Sequence, residues 1–177
     1  MKKMMLLAGL LLAGQSFGAA MAAQASSEAP MVLVSIVNGQ GETIGKAQLT
    51  EQAGKVQIHI EAEKLAPGTH GVHFHNVGKC DTPDFTTAGE HFNPQMKQHG
   101  FNNPKGYHSG DLPNIVVGEG GKVSADLTSA DVTLLQGQPN SLLKEGGTAL
   151  VIHEKADDYV TDPSGNSGSR IACGVIK

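Results

Sequence analysis

Tryptophan is absent and aromatic residues fill only 4% of the 177 positions, so any hydrophobic core must be aliphatic. Charged residues are scarce at 17%, which excludes a coiled coil and a highly charged disordered chain. No Lys/Arg run occurs beyond the first three residues and the formal net charge is −4, so the phosphate backbone of a nucleic acid is not an expected partner. Heptads, repeats and low-complexity segments are missing, apart from a short Ser/Ala/Pro tether around Ser26 to Pro30. The apolar run from Met4 to Ala13 falls short of the ~20 residues that a bilayer span needs, so stable membrane insertion is not expected.

That apolar run follows Lys2 and Lys3 and precedes small residues ending in Ala23-Gln24-Ala25. The pattern predicts a Sec-type signal peptide over residues 1–25, a tether over 26–31 and a single domain over 32–177. Removing the two lysines leaves a domain with net charge −6. The expected destination is the periplasm, with the extracellular medium as the alternative. In an oxidising compartment the two cysteines, Cys80 and Cys173, are expected to pair, free thiols or metal ligation being the alternatives. Such a bridge would close a loop of about 90 residues, worth roughly 4 kcal/mol on chain entropy.

What the sequence has in excess is glycine, 23 residues, and histidine, of which seven of eight lie between His59 and His108. Glycine at this density favours short strands joined by many turns. Met31 to Val37, Thr43 to Leu49 and Lys55 to Glu61 read as strands, the first ending at the turn signal Asn38-Gly39. In the third, Val56, Ile58 and Ile60 face inward and leave His59 on the solvated side. Thr69 to Asn76 also alternates, with His70, Val72 and Phe74 inward and His73 and His75 outward. Val77 to Leu112 lacks pattern, and a loop that long needs something other than a core to order it. Strands resume at Asn114–Val117, Lys122–Leu127, Thr148–His153 and Arg170–Ile176, with a short helical turn expected within Ser129–Gly137 and a second loop over Glu154–Ser169. The expectation is an all-β, eight-stranded antiparallel Greek-key barrel or sandwich with two long loops. Parity places His73, His75 and His153 outside the barrel, beneath those loops, unless a bulge intervenes.

His-x-His on a strand is a two-donor chelate, since residues i and i+2 share a face. Here it is joined by His91, His99, His108, Asp111 and His153, an N/O donor set suited to zinc and copper(II).

Gly71-Val72-His73-Phe74-His75, Ala88-Gly89-Glu90-His91-Phe92-Asn93-Pro94, His99-Gly100 and His108-Ser109-Gly110-Asp111-Leu112 resemble copper/zinc superoxide dismutase. So do Val151 to Asp158 and Gly165 to Gly174, and the likeness runs from about Val32 to the C-terminus. The resemblance implies copper held by His73, His75, His91 and His153, and zinc by His91, His99, His108 and Asp111, one of each metal per subunit. His91 is then the shared imidazolate and the proton carrier. The implied reaction turns superoxide into dioxygen and hydrogen peroxide, which would protect the cell envelope. Asp157 matches the carboxylate linking a copper histidine to a zinc histidine, Arg170 the arginine that orients the anion, and Cys80 with Cys173 the intrachain disulfide. His70 matches a structural histidine. Monomers and homodimers both fit. The second loop departs from the family, because Glu154, Asp157, Asp158 and Asp162 face Lys155 alone where members often carry lysines that steer superoxide. Lys79, Lys97 or Lys105 of the first loop are candidates for that role. The alternatives are a dismutase-like metal carrier or structural module without activity, and a cupin-like barrel, which the two-loop spacing of the ligands disfavours.

Overall fold

The computed structural model describes residues 30–177, so the expected signal peptide and most of the tether lie outside the described residues. Nine strands form: β1 (Met31–Asn38), β2 (Thr43–Gln52), β3 (Lys55–Ala62), β4 (Gly68–His70), β5 (Val72–His75), β6 (Ile115–Val117), β7 (Val123–Ser129), β8 (Thr148–His153) and β9 (Arg170–Ile176). Seven pair in the order β5-β8-β9-β1-β2-β3-β7, while β4 pairs with β6. Every pairing is antiparallel, and the sheet curls into a half-barrel.

Local chemistry sets the hairpins. At the β1–β2 turn the Asn38 side-chain oxygen accepts the backbone N–H groups of Gln40 and Glu42, both at 3.0 Å. The β2–β3 turn places Ala53 and Gly54 at positive φ, the twist that a tight hairpin requires. Inward alternation then buries Val34, Ile36, Leu49, Val56, Ile58 and Ile60 with Phe74, Leu150, Ile152 and Ile176 in one aliphatic core.

Three features differ from the sequence reading. The expected strand Thr69–Asn76 breaks at Gly71 into β4 and β5, which belong to different sheets and raise the count from eight to nine. Gly71 leaves the ladder because its N–H donates to Lys155 O and its carbonyl accepts from His153 N. A Cβ at this point would come within 3.1–3.4 Å of Ser167, His73 and Asp157. The helical turn expected in Ser129–Gly137 does not form; the described residues contain one short 3-10 turn, Thr86–Ala88. Residues 133–134 are instead latched to β2, where the Glu51 carboxylate accepts from Thr133 Oγ1 and Leu134 N. Finally, the β8–β9 register shifts between Ile152 and His153.

On the far side of β8, Ala149 and Val151 pack with Phe85, Ala88 and Cys173 in a second small cluster. The Cys80–Cys173 disulfide forms, with a Cα–Cα distance of 5.7 Å across 93 residues, and fastens the first long loop to β9.

Candidate metal centre

All seven expected ligands are buried beneath the two loops. His73 and His75 stand on β5 and His153 ends β8, while His91, His99, His108 and Asp111 come from the first loop. Bridges His73–Asp111 and His75–His91 bind that loop against β5.

Outer hydrogen bonds decide which ring nitrogen is free. His75 Nδ1 donates to Gly89 O at 2.8 Å, and His153 Nδ1 to Gly168 O at 3.3 Å. His73 Nε2 donates to Asp157 Oδ2 at 2.7 Å. A carbonyl or carboxylate can only accept, so in each case the opposite ring nitrogen keeps its lone pair. His75 Nε2 and His153 Nε2 lie 3.4 Å apart, and ligand atoms of His73, His75, His91 and His153 all fall within 4.8 Å of one another. Two nitrogens here, His73 Nδ1 and His91 Nε2, are buried with no hydrogen-bond partner. Burial and repulsion from His91 hold His73 down to about 3 and His153 down to about 4. His75 lies well below its ordinary value for the same reasons.

The other subsite centres on one oxygen. Asp111 Oδ1 lies 3.1 Å from His91 Nδ1, 3.0 Å from His99 Nδ1 and 3.4 Å from His108 Nδ1. Its second oxygen accepts the backbone N–H groups of Gly100 and His108. Burial pushes the Asp111 carboxyl up, but these bonds outweigh it and keep it far below the usual carboxylate range. Burial likewise opposes charge on His99, yet Asp111 and Asp157 together push it up to about 9. Ligand atoms of His73, His91, His99 and Asp111 all fall within 4.8 Å of one another, and His108 Nδ1 stands 3.4 Å from Asp111 Oδ1 outside that group. His73 enters by proximity, its ring centroid lying 4.0 Å from that of His91.

His70 faces carbonyl oxygens with both nitrogens, His153 O at 2.7 Å and Ala66 O at 2.8 Å, which removes it from metal binding. Asp157 joins the subsites, accepting from His73 through one oxygen and from His99 Nε2, at 3.0 Å, through the other. Arg170 is half-buried and fixed by its fork, Nη1 donating to Phe85 O at 2.8 Å and Nη2 to Gly89 O at 2.7 Å. Its charge further disfavours protonation of His75 and His153, which places it at their side of the centre.

Two residues that hold Asp157 escape a reading of the sequence. The Asn114 side chain accepts from Asp157 N and donates to Asp157 O, both at 2.9 Å. Gly165 sits so close that a Cβ would overlap the Asp157 carboxylate and approach His99 Nε2 to 2.7 Å. Their only sequence signals are an Asn three residues after Asp111 and a glycine at a loop bend.

These residues fit bound cations. Three Nδ1 atoms crowding a single carboxylate oxygen cannot all be satisfied by its lone pairs, and two imidazole nitrogens are orphaned in a buried pocket. Nitrogen and oxygen donors without thiolate suit zinc and copper(II).

The sequence profile described as copper/zinc superoxide dismutase (SODC) matches residues 43–176. A copper/zinc superoxide dismutase of Aquifex aeolicus is 53% identical over 143 residues, covering 80% of this chain and 85% of its own length. A superoxide dismutase-like protein of Bacillus subtilis is 48% identical, covering 81% of this chain and 74% of its own. The copper/zinc superoxide dismutase structure from Brucella abortus superposes with a TM-score of 0.67 at 27% identity, covering 84% of this chain and all of that one. Its family uses copper and zinc: the chain belongs to the copper/zinc superoxide dismutases.

Proposed function

We propose that the protein is an exported enzyme that converts two superoxide anions and two protons into dioxygen and hydrogen peroxide, acting in the periplasm to protect the cell envelope. The observation that carries this reading is the division of His91 between two donor sets, Nδ1 beside Asp111 and Nε2 orphaned beside the free nitrogens of His73, His75 and His153. The first set, His91, His99, His108 and Asp111, would hold zinc. The second, His73, His75, His91 and His153, would hold copper, which supplies a one-electron acceptor and donor that d¹⁰ zinc cannot.

The protein's own groups do the rest. His91 Nε2 is the atom that can hold a proton and deliver it to a reduced superoxide. Asp157 fixes His73 and His99 together, so the two subsites keep one geometry. Arg170, immobilised by two carbonyls, presents a preorganised cation to an approaching anion. The buried rings exclude water from the nitrogens that face inward.

A second reading, a dismutase-like copper/zinc carrier or structural module without activity, is supported by the relative described only as superoxide dismutase-like. Metal analysis together with decay of a superoxide pulse separates the two. The proposal expects one copper and one zinc per chain and fast, enzyme-dependent decay. Full loading with decay no faster than buffer overturns the enzyme reading.

A further inference from the structure

The acidic residues of the second loop have a common destination. Ser169 N donates to Glu154, Tyr159 N to Asp157, and Val160 N and Thr161 N to Asp158. His99 N donates to Asp162 Oδ1 at 2.7 Å. The carboxylates of Glu154, Asp157, Asp158 and Asp162 therefore all accept backbone N–H groups, so the acids of this loop serve to order the backbone around the site.

Asp162 differs from the others in reaching across to the first loop. The same Oδ1 that takes the His99 amide lies 3.9 Å from His108 Nε2. At that length the two groups face each other without a direct hydrogen bond. The importance of the pair comes from the outer nitrogens of the three imidazoles at this subsite. His91 Nε2 faces the neighbouring subsite, and His99 Nε2 donates to Asp157. His108 Nε2 has one carboxylate nearby, Asp162. Ligand imidazoles commonly give their outer N–H to a carboxylate, which fixes ring orientation and raises basicity.

We propose that Asp162 is the positioning residue for the His108 side of the zinc subsite. It faces the outer nitrogen of His108 at 3.9 Å, farther than the 3.0 Å at which Asp157 accepts from His99, and it also pins the His99 backbone. This rests on the assignment of zinc to His91, His99, His108 and Asp111. By this arrangement each loop acid other than Glu154 and Asp158 serves one zinc histidine from outside, and the second loop clamps the first through two carboxylates.

The test uses the full, disulfide-intact protein and three variants, Asp162→Ala, Asp162→Asn and Asp158→Asn. Asp158 accepts only from its own loop, so its variant loosens that loop without touching a histidine. Zinc retention is followed by transfer to a chromogenic chelator, and the subsite geometry by the visible spectrum of cobalt(II) added alone as a stand-in for zinc. Asp162→Ala is expected to weaken zinc by about tenfold, at the low end for loss of an outer partner, and to alter the cobalt band shape. Asp162→Asn keeps an acceptor for the His99 amide but loses the charge toward His108, so it should recover part of the retention and keep an altered band. Asp158→Asn should leave the band as in wild type. Unchanged zinc retention and cobalt spectrum in Asp162→Ala overturns the proposal, as does a matching loss in Asp158→Asn with no change of band. Wild-type protein that takes up neither zinc nor cobalt overturns the zinc assignment itself, and is thereby told apart from failure of Asp162.

Discussion

The two halves of the half-barrel are held by different physics. In β1, β3 and β7 burial alternates, as in the e-B-e-B-i-B-i-B pattern of β3, β2 does so over residues 46–49, and neighbours join through tight turns or direct registry. That half is a one-sided sheet whose order follows from covering its inner face. In β5 and β8 every residue is buried, because the outer face lies beneath the loops. What covers it is not a continuous core but histidines, carboxylates, a small apolar cluster and a disulfide. Core packing should order the first half whatever the metal content; the second half shares that core on its inner face but should also depend on bound cations and a covalent tie to hold its outer polar groups out of water.

The largest break in that comparison should come from His91. His91→Ala removes a donor from both subsites, so copper and zinc content should both fall after dialysis, and dismutation should drop by about 10²–10⁴-fold, the range for loss of a positioned proton donor. His99→Ala should empty mainly zinc. Hydrogen exchange should rise across residues 76–114 and 154–169 in His91→Ala and stay unchanged in β2 and β3. Full occupancy of both metals in His91→Ala would falsify the shared-ligand assignment.

The legibility of the sequence divides along the same line. Val56-x-Ile58-x-Ile60 announces β3 because one face is apolar and the other polar, and the structure keeps that parity. Thr148–His153 carries the same signal for its inner residues Leu150 and Ile152, but nothing in it shows that Ala149 and Val151 meet Phe85, far away in sequence. The break at Gly71 is invisible for a related reason: it depends on contacts with Lys155, His153 and Ser167. Ligand candidates were legible because imidazole is rare and costly to bury. Asn114 and Asp162 were not, since an amide and a loop carboxylate look the same from sequence whether they face solvent or a histidine.

Stability should separate the halves next. Ile58→Ala removes a fully buried side chain from the aliphatic core and should cost about 2–5 kcal/mol while leaving zinc and copper stoichiometry intact. Replacing Cys80 and Cys173 by Ser should cost about 2–4 kcal/mol, with the added exchange concentrated in the first loop around Phe85 and Ala88. Denaturant midpoints and metal counts measured on both proteins check this. Equal metal loss in the two would mean that the halves are not independently ordered.

Arg170 should have a smaller effect, on rate alone. Its fork spans two carbonyls, a geometry that Lys cannot reproduce with one ammonium. Arg170→Lys should keep part of kcat/KM, Arg170→Gln should lose about 10- to 100-fold, the equivalent of one hydrogen bond involving a charged group, and Arg170→Glu should lose more. Salt dependence should be weakest in the Gln variant. Pulse-radiolysis rates at verified metal content decide it, and equal rates in all four proteins would reduce Arg170 to a surface cation.

The smallest expected effect tests the comparison from the sheet side, through a histidine that no loop covers. On the outer face of β3, His59 Nδ1 lies 2.7 Å from Asp126 Oδ1 and His59 Nε2 lies 3.7 Å from Glu61 Oε1. Glu61 is shared with Lys46 at 2.9 Å, and Gln48 stands opposite His59 on β2. The hydrogen bond to Asp126 is the main reason that His59 is raised above its ordinary value. A raised folded value means that the folded protein binds the proton more tightly, so the stabilisation is complete below about pH 6.5 and is lost as pH climbs through the folded value. The metal-free centre has the opposite sign at His73 and His153, whose values of about 3 and 4 mean that acidification below 6.5 costs stability there. His99, raised to about 9, acts in a different window: its stabilisation is complete below about pH 6.5 and is lost as pH rises towards 9. Asp126→Asn should therefore lower Tm more at pH 6 than at pH 9, in metal-loaded and metal-free protein alike, and the gap should shrink in high salt because the pair is exposed. Thermal melts of wild type and Asp126→Asn at both pH values measure it. A Tm difference that is the same at pH 6 and pH 9 would show that His59 and Asp126 share a sheet face without sharing a proton.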